Sequence, residues 1–121
     1  MPKLLIVDDE DDVREFAASF FRKRKVDTIT ASSGEEALSI SERQRSDLVL
    51  LDIKMAGIDG VETLRRIKEL DKDARVIMVT GRKPNEQAYF DKCRELGAID
   101  YIHKPLQLDE LETIVLKELF K

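Results

Sequence analysis

Short apolar runs alternate with amphipathic stretches from one end of the chain to the other. The runs Leu4–Val7, Val26–Thr30, Leu48–Leu51, Val76–Val79 and Ile99–Ile102 have the length and the aliphatic, β-branched content of strands. Between them apolar residues recur at helical spacing. Val13, Phe16, Ala17, Phe20 and Phe21 stand at i, i+3, i+4, i+7 and i+8, the inward stripe of a first helix. Ser33-Gly34-Glu35-Glu36 reads as a capping box that opens a second. A third follows Asp59-Gly60, with Val61, Leu64 and Ile67 inward. The fourth runs from about Asn85 to Leu96, with Tyr89, Cys93 and Leu96 on one stripe and Gly97 as its stop. The fifth occupies about Leu108 to Phe120.

Strands that alternate with helices predict a mostly parallel sheet covered on both faces. Right-handed crossovers then favour a doubly wound α/β fold. The first, third and fourth runs lack the polar alternation of a half-exposed strand, as expected of strands buried on both sides. In such folds ligands bind beyond the carboxyl ends of the strands.

A chain of 121 residues is the size of one ordinary domain, here 1–121. Its 42% hydrophobic and 38% charged content supports a core with a well-solvated surface. No apolar run approaches the roughly 20 residues of a membrane span. The opening Met1-Pro2-Lys3-Leu4 leads straight into a strand without a signal-peptide pattern. The single cysteine, Cys93, fits a reducing cytoplasm and reads as a small buried hydrophobe. A net charge of −4 argues against nucleic acid as a direct partner. The basic run Arg22-Lys23-Arg24-Lys25 falls at the end of the first helical pattern, where cations complement the helix dipole.

Chemistry gathers at the strand ends. The first strand runs into Asp8-Asp9-Glu10, the third into Asp52, the fourth into Thr80-Gly81 and the fifth leads to Lys104-Pro105. Taken singly, Asp8 and Asp9 are equally good helix caps, Thr80 an ordinary strand-end hydroxyl and Lys104 a turn residue. If the first and third strands are neighbours, however, Asp8, Asp9 and Asp52 converge. Two carboxylates about 4 Å apart repel by roughly 4 kcal/mol at an effective dielectric near 20. A cation would relieve that repulsion, and all-oxygen ligands suit Mg²⁺. Carboxylates, hydroxyl and ammonium at one sheet edge together form a set for a phosphoryl group.

The segments "VDDE", "LLDIKMAGIDG", "VTG" and "YIHKPL", in this order and spacing, resemble the receiver domain of two-component response regulators over essentially the whole chain. The resemblance implies a flavodoxin-like (βα)5 three-layer sandwich with strand order 2-1-3-4-5. It implies that Asp52 accepts a phosphoryl group from a sensor histidine kinase or a phosphotransfer protein. Asp9 would coordinate Mg²⁺ (or Mn²⁺) directly, Asp8 partly through water, with Asp52 and the backbone carbonyl of Lys54 completing the protein ligands. Thr80 and Lys104 would bind phosphoryl oxygens, Tyr101 would be the aromatic switch, and Lys104-Pro105 would be a cis peptide. A downstream partner or a second copy would dock on the face made by the fourth helix, fifth strand and fifth helix. Such a protein catalyses only its own phosphorylation and dephosphorylation.

One departure, a few local choices and two rivals complete this reading. Ala56 stands where the family often has proline, which removes no ligand. Lys54 and Arg82, two residues beyond Asp52 and Thr80, resemble positions that tune the lifetime of the phosphoryl group. His103 has no partner histidine and reads as structural. An aspartate phosphatase would need a second acid at position 54, which is lysine; a pseudo-receiver that binds without being phosphorylated would not need the full acidic and basic set.

Overall fold

Strands apolar at successive positions demand cover on both faces, and the helices supply it. The computed structural model describes residues 1–81 and 87–121. Strands β1 (Lys3–Val7), β2 (Asp27–Ala31), β3 (Leu48–Asp52), β4 (Val76–Thr80) and β5 (Asp100–His103) pair in parallel in the order β2-β1-β3-β4-β5. They alternate with α1 (Asp11–Arg22), α2 (Gly34–Arg43), α3 (Gly60–Leu70) and α4 (Gln87–Glu95). The last helix, α5, opens over Leu108–Glu110, takes π-helical winding over Leu111–Leu116 and closes over Lys117–Leu119. This is the flavodoxin-like arrangement with strand order 2-1-3-4-5.

The sheet divides two apolar layers. Leu4, Ile6, Leu48, Leu50, Ile77, Val79 and Ile102 point one way, onto Ala17, Ala18, Phe20 and Phe21 of α1 and Leu111, Val115 and Leu119 of α5. Leu5, Val7, Val49, Leu51, Val76 and Met78 point the other way, onto Ala37 and Ile40, Leu64 and Ile67, and Phe90 and Cys93 of α2, α3 and α4. The period of two along each strand assigns every residue to one side, including those at the strand ends.

Local signals place the helix boundaries. Ser33 accepts a hydrogen bond from the Glu36 amide, and the Glu36 carboxylate reaches back to the Ser32 amide at 2.7 Å. Asp59 caps α3 by accepting from the Glu62 amide. Gly97, at φ 103°, ends α4: its amide bonds to Arg94 O and that of Ala98 to Cys93 O, a Schellman pattern. The Lys104-Pro105 peptide is cis.

Several sequence expectations shift by a residue. Phe16 is 45% exposed, and with Val13 it lines an open groove beside Pro105 and Leu106. The inward face of α1 is instead centred on Ala17, Ala18, Phe20 and Phe21, while Phe16 turns toward Pro105 and Leu106, the segment that follows β5. On α4 the buried pair is Phe90 and Cys93, while Tyr89 lies at the margin of that stripe, 39% exposed. The expected start of that helix at Asn85 lies outside the described residues, as does Arg82. Val26 and Ile99 precede rather than open their strands; Val26 is buried and Ile99 exposed. Ile99 places Asp100 at the head of β5, where its carboxylate accepts from the Tyr101 amide at 2.8 Å.

One close approach ties the fold to the end of β3. The Gly60 amide donates to Ile53 O at 2.7 Å, which draws the start of α3 against the residues that follow Leu51. A Cβ on Gly60 would lie 2.6 Å from Ile53 Cα and closer still to the Asp52 carbonyl oxygen. Both are backbone atoms that cannot swing aside. Gly60→Ala should therefore cost about 2–4 kcal/mol, seen as a lower urea midpoint with an unchanged m-value.

Candidate functional site

The sheet order makes β1 and β3 neighbours, with Val7 paired to Leu51, so Asp8 and Asp52 leave the sheet side by side. Both are buried, while Asp9 and Glu10 are exposed on the turn into α1. One carboxylate oxygen from each of Asp8, Asp9, Glu10 and Asp52 lies within 4.8 Å of the others. Lys104, just past β5, sends its ammonium into this group. Its Nζ lies 3.1 Å from Asp52 Oδ2, 3.2 Å from Asp8 Oδ2 and 2.8 Å from Glu10 Oε1. Backbone amides fix the carboxylates: Glu10 N–H donates to Asp8 Oδ1, Ala56 N–H to Asp9 Oδ2 and Lys54 N–H to Asp52 Oδ1. Arg14 holds the Asp8 carbonyl at 2.9 Å.

Burial and crowding set the charge states. Asp52 is pushed up to about 6, first by burial and then by the Asp8 charge, against the lowering pull of Lys104 and the Lys54 amide. Burial also raises Asp8. Burial alone would lower Lys104, but its contacts with Glu10, Asp52 and Asp8 outweigh this and hold it above the usual lysine range. One ammonium thus serves three carboxylates, and the two buried ones remain above their ordinary values. The uncompensated charge and the all-oxygen donor set fit a hard divalent cation. Asp8, Asp9 and Asp52 are oriented to contribute; the loop that carries Lys54 is anchored by the bond from its amide to Asp52.

Thr80 and Tyr101 lie on the other side of the same edge. Thr80 is buried, with Oγ1 3.1 Å from His103 Nδ1. Tyr101 stacks on Phe90 with ring centroids 4.5 Å apart, and the His103 ring meets both edge-on at 5.6 Å. Of the residues singled out in the sequence, Asp8, Asp9, Asp52 and Lys104 come together, and Thr80 and Tyr101 flank them through His103. Glu10 has no role legible in the sequence beyond its place at the strand end, yet it makes the shortest of the three Lys104 contacts. An acid at that position looks the same as one that favours a helix N-terminus. Cys93, raised to about 11 by burial and then by Asp59, is held as a thiol within the core.

The model of the response regulator receiver domain matches residues 4–116. Sporulation initiation phosphotransferase F of Bacillus subtilis is 40% identical over 97% of this chain and 93% of its own length. Regulatory protein AtoC of Escherichia coli is 36% identical over 97% of this chain but only 25% of its own length. The chain likewise spans 48% of the heme response regulator HssR of Staphylococcus aureus and 46% of the transcriptional regulatory protein AfsQ1 of Streptomyces coelicolor. Among solved structures, a CheY-like receiver domain protein from Methanospirillum hungatei superposes with a TM-score of 0.89 at 28% identity, over 99% of this chain and 94% of that one.

The raised Asp52 has a measurable consequence for stability. Its folded value of about 6 exceeds the ordinary 3.8, so the folded protein takes up this proton first as pH falls. The ionised group therefore costs stability above pH 6, and the cost fades between pH 6 and 4. Asp52→Asn should raise metal-free stability at pH 7.5 by roughly 1–3 kcal/mol. In urea titrations the gap should close toward pH 4, and added Mg²⁺ should narrow it at pH 7.5 by stabilising the wild type.

Proposed function

The chain belongs to the response regulator receiver family, and from that membership we propose that Asp52 is a phosphoacceptor that switches a partner-binding face. The observation that carries this reading is the Lys104 ammonium bonded to two buried carboxylates at the carboxyl edge of the sheet. Such a group neutralises anionic oxygens that arrive at Asp52.

In the reaction an Asp52 carboxylate oxygen attacks the phosphorus of a phosphohistidine on a sensor histidine kinase or phosphotransfer protein. An O–P bond forms, the P–N bond breaks, and the imidazole leaves and takes up a proton. A group that titrates near 6 is mainly ionised at neutral pH yet more basic than a surface aspartate, which favours nucleophilic attack. Asp8, Asp9, Asp52 and the Lys54 carbonyl would hold Mg²⁺, which when bound supplies positive charge opposite the phosphoryl oxygens. Lys104 neutralises a second oxygen and Thr80 donates a hydrogen bond to a third. The chain turns over only its own aspartyl phosphate, and Lys54 at the position of a phosphatase's second acid supports that limit. The setting is the cytoplasm; among the described residues no helix is long and apolar enough to cross a membrane.

Bonds from Thr80 and Lys104 to the phosphoryl oxygens bias the fold. Charge-assisted bonds contribute about 1.5–3 kcal/mol each, so the pair supplies roughly 3–6. A swing from 1:99 to 99:1 needs about 5.5 kcal/mol. The phosphoryl group therefore selects an active arrangement already populated as a minor state. The output face spans α4, β5 and α5, which expose Tyr89 and Leu108, with Phe120 exposed just past the end of α5.

Incubation with acetyl phosphate, followed by intact mass, tests the chemistry. One phosphoryl adduct is expected with Mg²⁺, none with a chelator, and none on Asp52→Asn. An unmodified wild type, even with a kinase donor, would leave a binding module that works without phosphorylation. Tyr101→Ala should keep the adduct but make partner binding independent of it.

A further inference from the structure

We infer that His103 is a positioning residue for Thr80: its ring holds the Thr80 hydroxyl away from Asp52 until a phosphoryl group competes for it. This rests on the phosphoacceptor reading and adds a residue that the reading does not use.

The register and the pleat carry the inference. Thr80 and His103 are direct partners across β4 and β5, so their side chains leave the same face of the sheet. That face is the one of Met78 and Tyr101, packed under α4. Asp8, Asp52 and Lys104 share the alternation of Ile6, Leu50 and Ile102, which belong to the opposite layer. A Thr80 hydroxyl bonded to His103 at 3.1 Å is thus held toward the α4 layer.

The ring is poorly placed to follow if Thr80 turns. It stands edge-on to Phe90 at 68° and to Tyr101 at 75°, with both centroids 5.6 Å away. Phe90 and Tyr101 are themselves stacked, so the ring is braced by a pair rather than by one movable side chain. A neutral imidazole with its proton on Nε2 accepts from Thr80 through Nδ1. The hydroxyl has one proton, so donation to His103 and donation to a phosphoryl oxygen exclude each other. Breaking the first bond leaves a nitrogen without its donor beside Tyr101, which links release of Thr80 to the aromatic group of the output face.

His103 is the single histidine of the chain, so its ring nitrogens can be read by 15N NMR without site assignment. In the unphosphorylated protein Thr80→Val should move the Nδ1 resonance toward that of an acceptor without a donor. Saturating the wild type with Mg²⁺ and beryllofluoride, a phosphoryl mimic, should move it in the same direction. An Nδ1 signal that ignores either change overturns the proposal. His103→Phe keeps an aromatic edge against Phe90 and Tyr101 but removes the acceptor. It should tighten beryllofluoride binding about five-fold, the factor for one ordinary neutral hydrogen bond. In a Thr80→Val background the same substitution should change nothing; an equal effect in both backgrounds would mean that the ring acts through packing, and the positioning role is lost. A wild type that takes up neither phosphoryl group nor mimic would overturn the phosphoacceptor reading and the release step with it. The unphosphorylated Thr80→Val spectrum judges the restraint separately.

Discussion

Negative charge is crowded at the carboxyl edge of the sheet, where Asp8, Asp9, Glu10 and Asp52 bring oxygens within 4.8 Å of one another and Lys104 spans three of them. The crowding is a product of the fold. Strands β1 and β3 are adjacent and buried on both faces, so the residues that end them inherit both proximity and a poor solvent environment. Burial then acts on Asp52 and Asp8 in one direction and on Lys104 in the other, and the three settle as a group. The glycine that opens α3 and the amides of Glu10, Lys54 and Ala56 serve to keep this arrangement in place.

The sheet also separates two kinds of chemistry. Ionic groups follow the alternation of the α1–α5 layer, and the hydroxyl and aromatic groups follow that of the α2–α3–α4 layer. They meet only where the strands stop. A rearrangement of Thr80 and His103 would therefore pass to α4 through Tyr101, which stacks on the buried Phe90.

Much of this is legible because parallel strands announce themselves as unbroken apolar runs, and because the carboxylates stand immediately after those runs. What sequence reasoning misses shares one cause. Spacing reports how many apolar residues a helix carries, but the boundary of the surface that covers them is set by neighbours remote in sequence. Phe16 fits the stripe of α1 yet faces the groove beside Pro105 and Leu106, and Tyr89 yields its place on α4 to Phe90. The contact of His103 with Thr80 is not legible because the two stand 23 residues apart on different strands. Glu10 lacks a role in the sequence because its contact with Lys104 spans 94 residues. The π-helical winding of α5 leaves no mark in its apolar spacing.

The strand order leaves β2 and β5 as the two outer margins of the sheet. Each begins with an exposed aspartate, Asp27 on β2 and Asp100 on β5, and Asp100 already occupies the Tyr101 amide with its own carboxylate. A strand from another chain that sought to extend the sheet would meet an anion at either entrance, and on β5 it would have to displace a hydrogen bond before making its own. Growth by strand addition, the common route to fibrils and swapped dimers, is disfavoured at both margins. The helical surfaces carry no such barrier to a partner.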